Sequence, residues 1–274
     1  MSSTGSGERV RSVSAGGRTI RTSVRAGTDD GVPPLLLVNG IGASLEVLQP
    51  FVDALDRRRT VIRFDVPGVG GSPAPVVPYN LATFSVVLAR TLDRLGFGGP
   101  VDVLGLSWGG GLAQHFAAQH RARCRRLVLT ATGTGSLMVP ASPRVLARML
   151  TPRRHRDPDY ARSIAGEIYG GTMRTEPERA ARAPHAATRL GPRRGYYFQL
   201  AASTGWSSLP FLQLIRQPTL VLAGDDDPIV PVVNARIMAR LLPRATLHVY
   251  RGGHIALITE APELAPVVEG FLDG

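Results

Sequence analysis

The chain has 274 residues, 43% of them hydrophobic, with one cysteine and a net charge of +11. One cysteine, Cys124, excludes an intrachain disulfide and is read as structural, and no apolar run reaches the roughly 18–20 residues that span a bilayer. All 32 basic residues are arginine, so catalysis by a lysine amine is excluded.

The start, Met1 to Glu8, lacks the basic and apolar regions of a secretory signal, and a soluble, cytoplasmic protein is expected. Residues 1–17 read as a flexible N-terminus. A weakly alternating strand follows over Arg18–Val24, and the apolar run Pro34–Val38 reads as a strand buried on both faces. Ser44 is placed as N-cap of a helix from Leu45 to about Leu55. Thr60–Phe64 reads as a strand, Leu81–Leu95 as a helix, Val101–Leu106 as a strand, Gly110–Gln119 as a helix and Arg126–Leu129 as a strand.

Regular alternation then stops. Residues 133–216 hold 13 Arg against five acids, with helix-like pieces near Ser142–Leu150 and Tyr160–Ile168. Alternation resumes with a strand over Pro218–Ala223, a helix over Val233–Leu242, a strand over Thr246–Tyr250 and a helix over Pro262–Leu272. Strands alternating with helices imply an α/β fold, a mostly parallel central sheet with helices on both faces. The expected organisation is a core of residues 18–132 and 217–274 carrying an inserted helical cap, 133–216. The basic stretch includes no nucleic-acid module and no interleaved stacking aromatics, so nucleic acid is not the expected partner. An anionic surface, or simply a solvated face, remains open.

The chemistry concentrates at three strand ends. The strand Val101–Leu106 runs into Gly105-Leu106-Ser107-Trp108-Gly109 and then a helix, the G-x-S-x-G context in which a serine sits on a tight strand-to-helix turn as nucleophile. A serine hydroxyl needs a base, and the base needs an orienting carboxylate. Gly224-Asp225-Asp226-Asp227 follows a later strand, and Arg251-Gly252-Gly253-His254 the next. In the pattern G-x-x-D-x-x-x-P the acid is Asp227, with Asp226 as fallback. His254 alone among the six histidines follows a glycine pair at a strand end. The order Ser107, Asp227, His254 is that of the α/β-hydrolase fold.

Acyl transfer also needs N–H donors for a developing oxyanion. The turn Asn39-Gly40-Ile41-Gly42 offers the amide of Ile41, and the elbow offers that of Trp108. Asn39, Gly40, Gly42, Gly105 and Gly109 are the supporting turn residues, Asn39 ordering its loop. Asp65-Val66-Pro67-Gly68-Val69-Gly70-Gly71-Ser72 matches D-x-x-G-x-G-x-S and is assigned a structural role. There is no phosphate loop and no metal-ligand spacing, so no cofactor and no metal are expected.

NGIGASLEVLQPFVDALD, RFDVPGVGGSPAP, LGLSWGGGLAQHFA, CRRLVLTATGTGSLMVP and IRQPTLVLAGDDDPIVP resemble the intracellular poly(3-hydroxyalkanoate) depolymerases of medium-chain-length type. The resemblance extends into the insertion through EIYGGTMR and GYYFQLAASTGWSSL and covers roughly Pro34 to Leu272. It implies a triad of Ser107, Asp227 and His254, hydrolysis of 3-hydroxyacyl ester bonds through an acyl-enzyme, and a cap lining an apolar groove for a polyester substrate. Apolar residues such as Leu137, Met149, Leu150 and Tyr197 beside the excess arginine lead to the further expectation that the cap docks on a storage-granule surface. The alternatives on the same fold are a soluble carboxylesterase or lipase, a C–C bond hydrolase, a cofactor-free lyase and a non-catalytic granule-binding protein.

Overall fold

The computed structural model describes residues 7–176 and 189–274. One sheet of eight strands runs in the order β1-β2-β4-β3-β5-β6-β7-β8. The strands are β1 (Glu8–Ala15), β2 (Arg18–Arg25), β3 (Leu35–Val38), β4 (Val61–Phe64), β5 (Val101–Leu106), β6 (Cys124–Thr130), β7 (Thr219–Gly224) and β8 (Ala245–Tyr250). β3 to β8 are parallel; β1 and β2 join antiparallel at one edge.

The described part of the expected flexible N-terminus is therefore corrected. Residues 8–15 form β1, which pairs along its whole length with β2, while residues 1–6 lie outside the described residues. The strand is exposed, polar and arginine-rich, so it lacks the apolar pattern that marks a buried strand. An antiparallel edge needs only its backbone ladder and tolerates such a face.

Every residue of β3, β4, β5 and β7 is buried. Successive side chains leave a strand on opposite faces, and the core divides accordingly. Leu35, Leu37, Leu104 and Leu222 join one cluster with Phe51, Leu264 and Val268, from α1 (Gln49–Ala54) and the last helix (Ala261–Asp273). Leu36, Val38, Val103 and Val221 join the other with Phe84, Leu88 and Phe116. These come from α2 (Leu81–Leu95) and α3 (Trp108–Gln119). α2 buries a stripe at Leu81, Phe84, Leu88 and Leu92, the period of a helix covering a sheet. Asn80 caps it, accepting from the Thr83 N–H at 2.8 Å, and Gly96 ends it in the left-handed region.

Between β6 and β7 the chain leaves the sheet. It forms α4 (Pro143–Met149), α5 (Pro158–Tyr169), α6 (Thr172–Thr175) and α7 (Arg193–Ser203), then returns through α8 (Val232–Leu241), α9 (Ala256–Thr259) and α10 (Ala261–Asp273) around β7 and β8. The helix over residues 45–54 begins as a 3₁₀ turn at Leu45–Leu48. Ser44 precedes it but does not cap it through its side chain. Its Oγ instead accepts from the Arg189 N–H at 3.0 Å, tying the insertion to the core.

Candidate active site

Strand order brings the loops after β3, β5, β7 and β8 to the carboxyl edge of the sheet, where open α/β sheets carry their ligand sites. Ser107 follows β5 with φ 55° and ψ −118°, a backbone region that costs energy for a residue with a side chain. The neighbours over-determine it. The Ser107 N–H donates to Thr130 O at 2.9 Å, and its carbonyl accepts from the Gly110 N–H at 2.9 Å and the Thr132 hydroxyl at 2.8 Å. The two motif glycines allow this turn: a Cβ on Gly105 would collide with Gly109 O, and one on Gly109 with Val38 O.

His254, 5% exposed, follows β8, and its backbone N–H donates to Tyr169 O at 2.7 Å. Its Nε2 lies 2.9 Å from Ser107 Oγ and its Nδ1 2.8 Å from Asp227 Oδ2. A carboxylate only accepts, so the pairing selects the tautomer with the proton on Nδ1 and leaves Nε2 as acceptor for the serine hydroxyl. The other oxygen of Asp227 accepts from the Ile229 and Val230 N–H groups, both at 2.9 Å, which fixes the carboxylate plane.

The three consecutive aspartates separate in space. Asp225 Oδ1 accepts from the Gly252 N–H at 3.0 Å and shapes the loop that carries His254. Asp226 turns to the insertion, taking the Arg174 guanidinium at 2.7 and 2.9 Å and the Gly171 N–H at 2.7 Å. The bonds from Arg174 hold its carboxyl below the ordinary range against the opposing effect of burial. Only Asp227 reaches the imidazole.

In the turn after β3, Asn39 Nδ2 donates to Ser44 O at 2.7 Å while its Oδ1 accepts from the Gly40 N–H at 2.9 Å. The Gly42 N–H donates to Gln199 Oε1 at 2.8 Å. Ile41 lies between these two anchored amides, and Gly40 packs beside the Ser107 Cβ. Trp108 opens α3, and the N–H of a helix's first residue has no acceptor inside that helix. Its indole Nε1 donates to Gln199 O at 2.9 Å. Ile41, Ser107 and His254 line one cavity of about 60 Å³, shared with Val47, Ile229 and Ile258 of the core and with Met149, Arg154 and Tyr169 of the insertion.

Gln199 and Arg154 carry no motif. Both are buried side chains of the insertion, and the only sequence trace of Gln199 is a polar residue inside the aromatic run of α7. His115, on α3, and His120, just past its end, stand apart from this cluster, and Trp206 Nε1 donates to His115 Nε2 at 2.7 Å. No group of three or more His, Cys, Asp or Glu suited to a metal occurs among the described residues.

A family model described as the alpha/beta hydrolase fold matches residues 33–261. The poly(3-hydroxyalkanoate) depolymerase of Ectopseudomonas oleovorans is 49% identical over 263 residues, 96% of this chain and 92% of that protein. The 2-hydroxymuconate semialdehyde hydrolase of Pseudomonas putida is 30% identical over 254 residues, 87% of this chain and 86% of that one. Among solved structures, the enol-lactonase from Burkholderia xenovorans LB400 superposes with a TM-score of 0.82 at 22% identity, covering 96% of this chain and all of that one, a likeness of fold. The chain belongs to the α/β hydrolases and, among them, to the family of the poly(3-hydroxyalkanoate) depolymerases.

Proposed function

We propose that the chain is a serine hydrolase that cleaves the ester bonds of poly(3-hydroxyalkanoate) with medium-length side chains. The observation that carries this is the unbroken hydrogen-bonded series Ser107–His254–Asp227 opening on an apolar cavity. Identity of 49% with a depolymerase over nearly the whole chain supports the substrate class.

His254 Nε2 takes the hydroxyl proton as Ser107 Oγ attacks the ester carbonyl, and Asp227 stabilises the imidazolium that forms. The carbonyl oxygen becomes an oxyanion held by the N–H groups of Ile41 and Trp108. Collapse breaks the ester C–O bond, and the departing 3-hydroxyl oxygen receives the proton from His254. Water, deprotonated by the same nitrogen, then attacks the acyl-serine; the acyl–Oγ bond breaks, Ser107 Oγ takes the proton back from His254, and the carboxylic acid leaves. No step calls for a cofactor.

Residues 133–216 act in this scheme as the cap over the cavity. Among the described residues no helix is long and apolar enough to cross a membrane. The exposed apolar residues Leu137, Leu150, Leu190 and Tyr197 stand in this segment beside its excess of arginine, supporting an enzyme that docks on the surface of storage granules.

The test is release of 3-hydroxy acids from amorphous medium-chain polyhydroxyalkanoate granules by the parent and by Ser107→Ala. Release by the parent alone is expected. No release from either, while the parent still cleaves short nitrophenyl esters, would leave a soluble esterase and discard the polymer.

A further inference from the structure

The insertion is rich in arginine, and most of that charge faces solvent. Arg154 does not: it is 2% exposed, in the 3₁₀ turn Pro152–His155 between α4 and α5. Its Nη1 donates to the Tyr196 hydroxyl at 2.8 Å and lies 3.5 Å from Thr151 O, while Tyr196 in turn donates to Met149 O at 2.5 Å. The guanidinium carbon stands 5.4 Å from the centre of the Tyr196 ring. Its Nε is buried and meets no acceptor.

Two of the other deeply buried arginines have an acidic partner, and a third, whose Nε also meets no acceptor, is held by backbone oxygens alone. Arg59 pairs with Asp102 and Asp273, Arg63 pairs with Glu8, and Arg25 donates to four backbone carbonyls. No carboxylate among the described residues pairs with Arg154; the groups facing its charge are the phenols of Tyr196 and Tyr169. A guanidinium keeps its charge in any protein setting, and burying it without an anion is costly. Arg154 lines the same cavity as Ser107 and His254.

We propose that Arg154 is a carboxylate subsite: its planar fork receives the free carboxylate of a hydroxyacyl chain whose ester bond lies at Ser107. This rests on the ester-hydrolase assignment above and narrows the substrate to chain ends and short oligomers with a free carboxyl terminus. Val47, Ile229 and Ile258 take the alkyl branch, and the phenols hold the guanidinium in place between turnovers. Each cut of a polyester leaves a new carboxylate at the remaining chain end, so the product of one turnover carries the group that Arg154 recognises in the next.

The test is competitive inhibition of nitrophenyl butyrate hydrolysis by 3-hydroxyoctanoate and by its methyl ester, read from initial rates before the ester, itself a substrate, has released acid. A charge-assisted pair predicts that the acid binds about tenfold or more tightly than the ester in the parent. That ratio should fall towards unity in Arg154→Met and to an intermediate value in Arg154→Lys, which keeps the charge but not the fork. Equal inhibition by acid and ester in the parent overturns the proposal, whether or not the variants fold. An acid preference that persists unchanged in Arg154→Met overturns it as well. Selective inhibition by the acid alongside no release from polymer supports the subsite and removes only the polymer assignment.

Discussion

The N–H of Gly42 donates to the side-chain Oε1 of Gln199 at 2.8 Å, although the two residues lie 157 positions apart. The carbonyl of the same glutamine accepts from the Trp108 indole. One buried residue of α7 thus grips the turn after β3 and the start of α3, the two places proposed to supply oxyanion donors. Gln199→Met keeps the volume and removes the acceptor, leaving the Gly42 N–H unpaired. An unmet buried donor costs about 1–3 kcal/mol, and a relaxed oxyanion turn should lower kcat on a short nitrophenyl ester about tenfold. KM should move much less, because the loss falls on the transition state. A kcat within twofold of the parent would remove Gln199 from any positioning role.

The separation of the three aspartates sets up a contrast. Asp227→Asn leaves the shape but offers His254 an amide, and kcat should fall about 10⁴-fold, as when the orienting carboxylate of such a triad is lost. Asp226→Asn weakens an exposed pair with Arg174 and should change stability by about 1 kcal/mol or less and kcat by about threefold or less. Steady-state kinetics of the two variants decide between them. Equal losses would return Asp226 to the place of catalytic acid.

Asp65 shows why the D-x-x-G-x-G-x-S turn is structural. It is wholly buried and accepts from the Leu45 and Gly71 N–H groups, each at 2.7 Å, and from Arg21 Nη1 at 2.9 Å. It therefore ties the end of β4 to the loop that follows the oxyanion turn. Asp65→Ala strands two amides and half of the Arg21 pairing, and urea unfolding should show a loss of about 3 kcal/mol. A loss under 1 kcal/mol would mean that Glu46, the other partner of Arg21, takes over the network.

What is legible in the sequence is what local chemistry dictates. Val101–Leu106 and Leu81–Leu95 are a strand and a helix at those bounds because a doubly buried strand must be apolar throughout and a covering helix must show its stripe. Ser107, Asp227 and His254 stand out because each follows a strand with turn residues beside it, and the fold brings those ends together. Asp226 could not be set aside from spacing alone: adjacent carboxylates differ only in where a rigid backbone points them. Gln199 and Arg154 are invisible for another reason, since they act through contacts across the fold and carry no local signature. The edge strand β1 is missed because its polar, exposed pattern is also that of a loose terminus.

The contact between Trp206 and His115 makes the joint between α3 and the returning insertion sensitive to pH. Trp206 Nε1 donates to His115 Nε2, so that nitrogen must be unprotonated, and the ring also packs on Phe211 with centroids 4.8 Å apart. Burial lowers the His115 pKa below its ordinary value of 6.5. The folded state therefore resists a proton that the unfolded chain accepts. The stability this contact contributes is complete above the unfolded pKa and is lost as pH falls from there through the lowered folded value. Thermal unfolding followed by tryptophan emission should show the midpoint falling as the pH is lowered through 6.5 and below. His115→Gln retains an acceptor for Trp206 without titrating, and should make that fall shallower. His120, lowered by burial and by Arg123, retains its own share of the slope in both proteins. Identical slopes in parent and variant would show that His115 takes no part in the acid sensitivity.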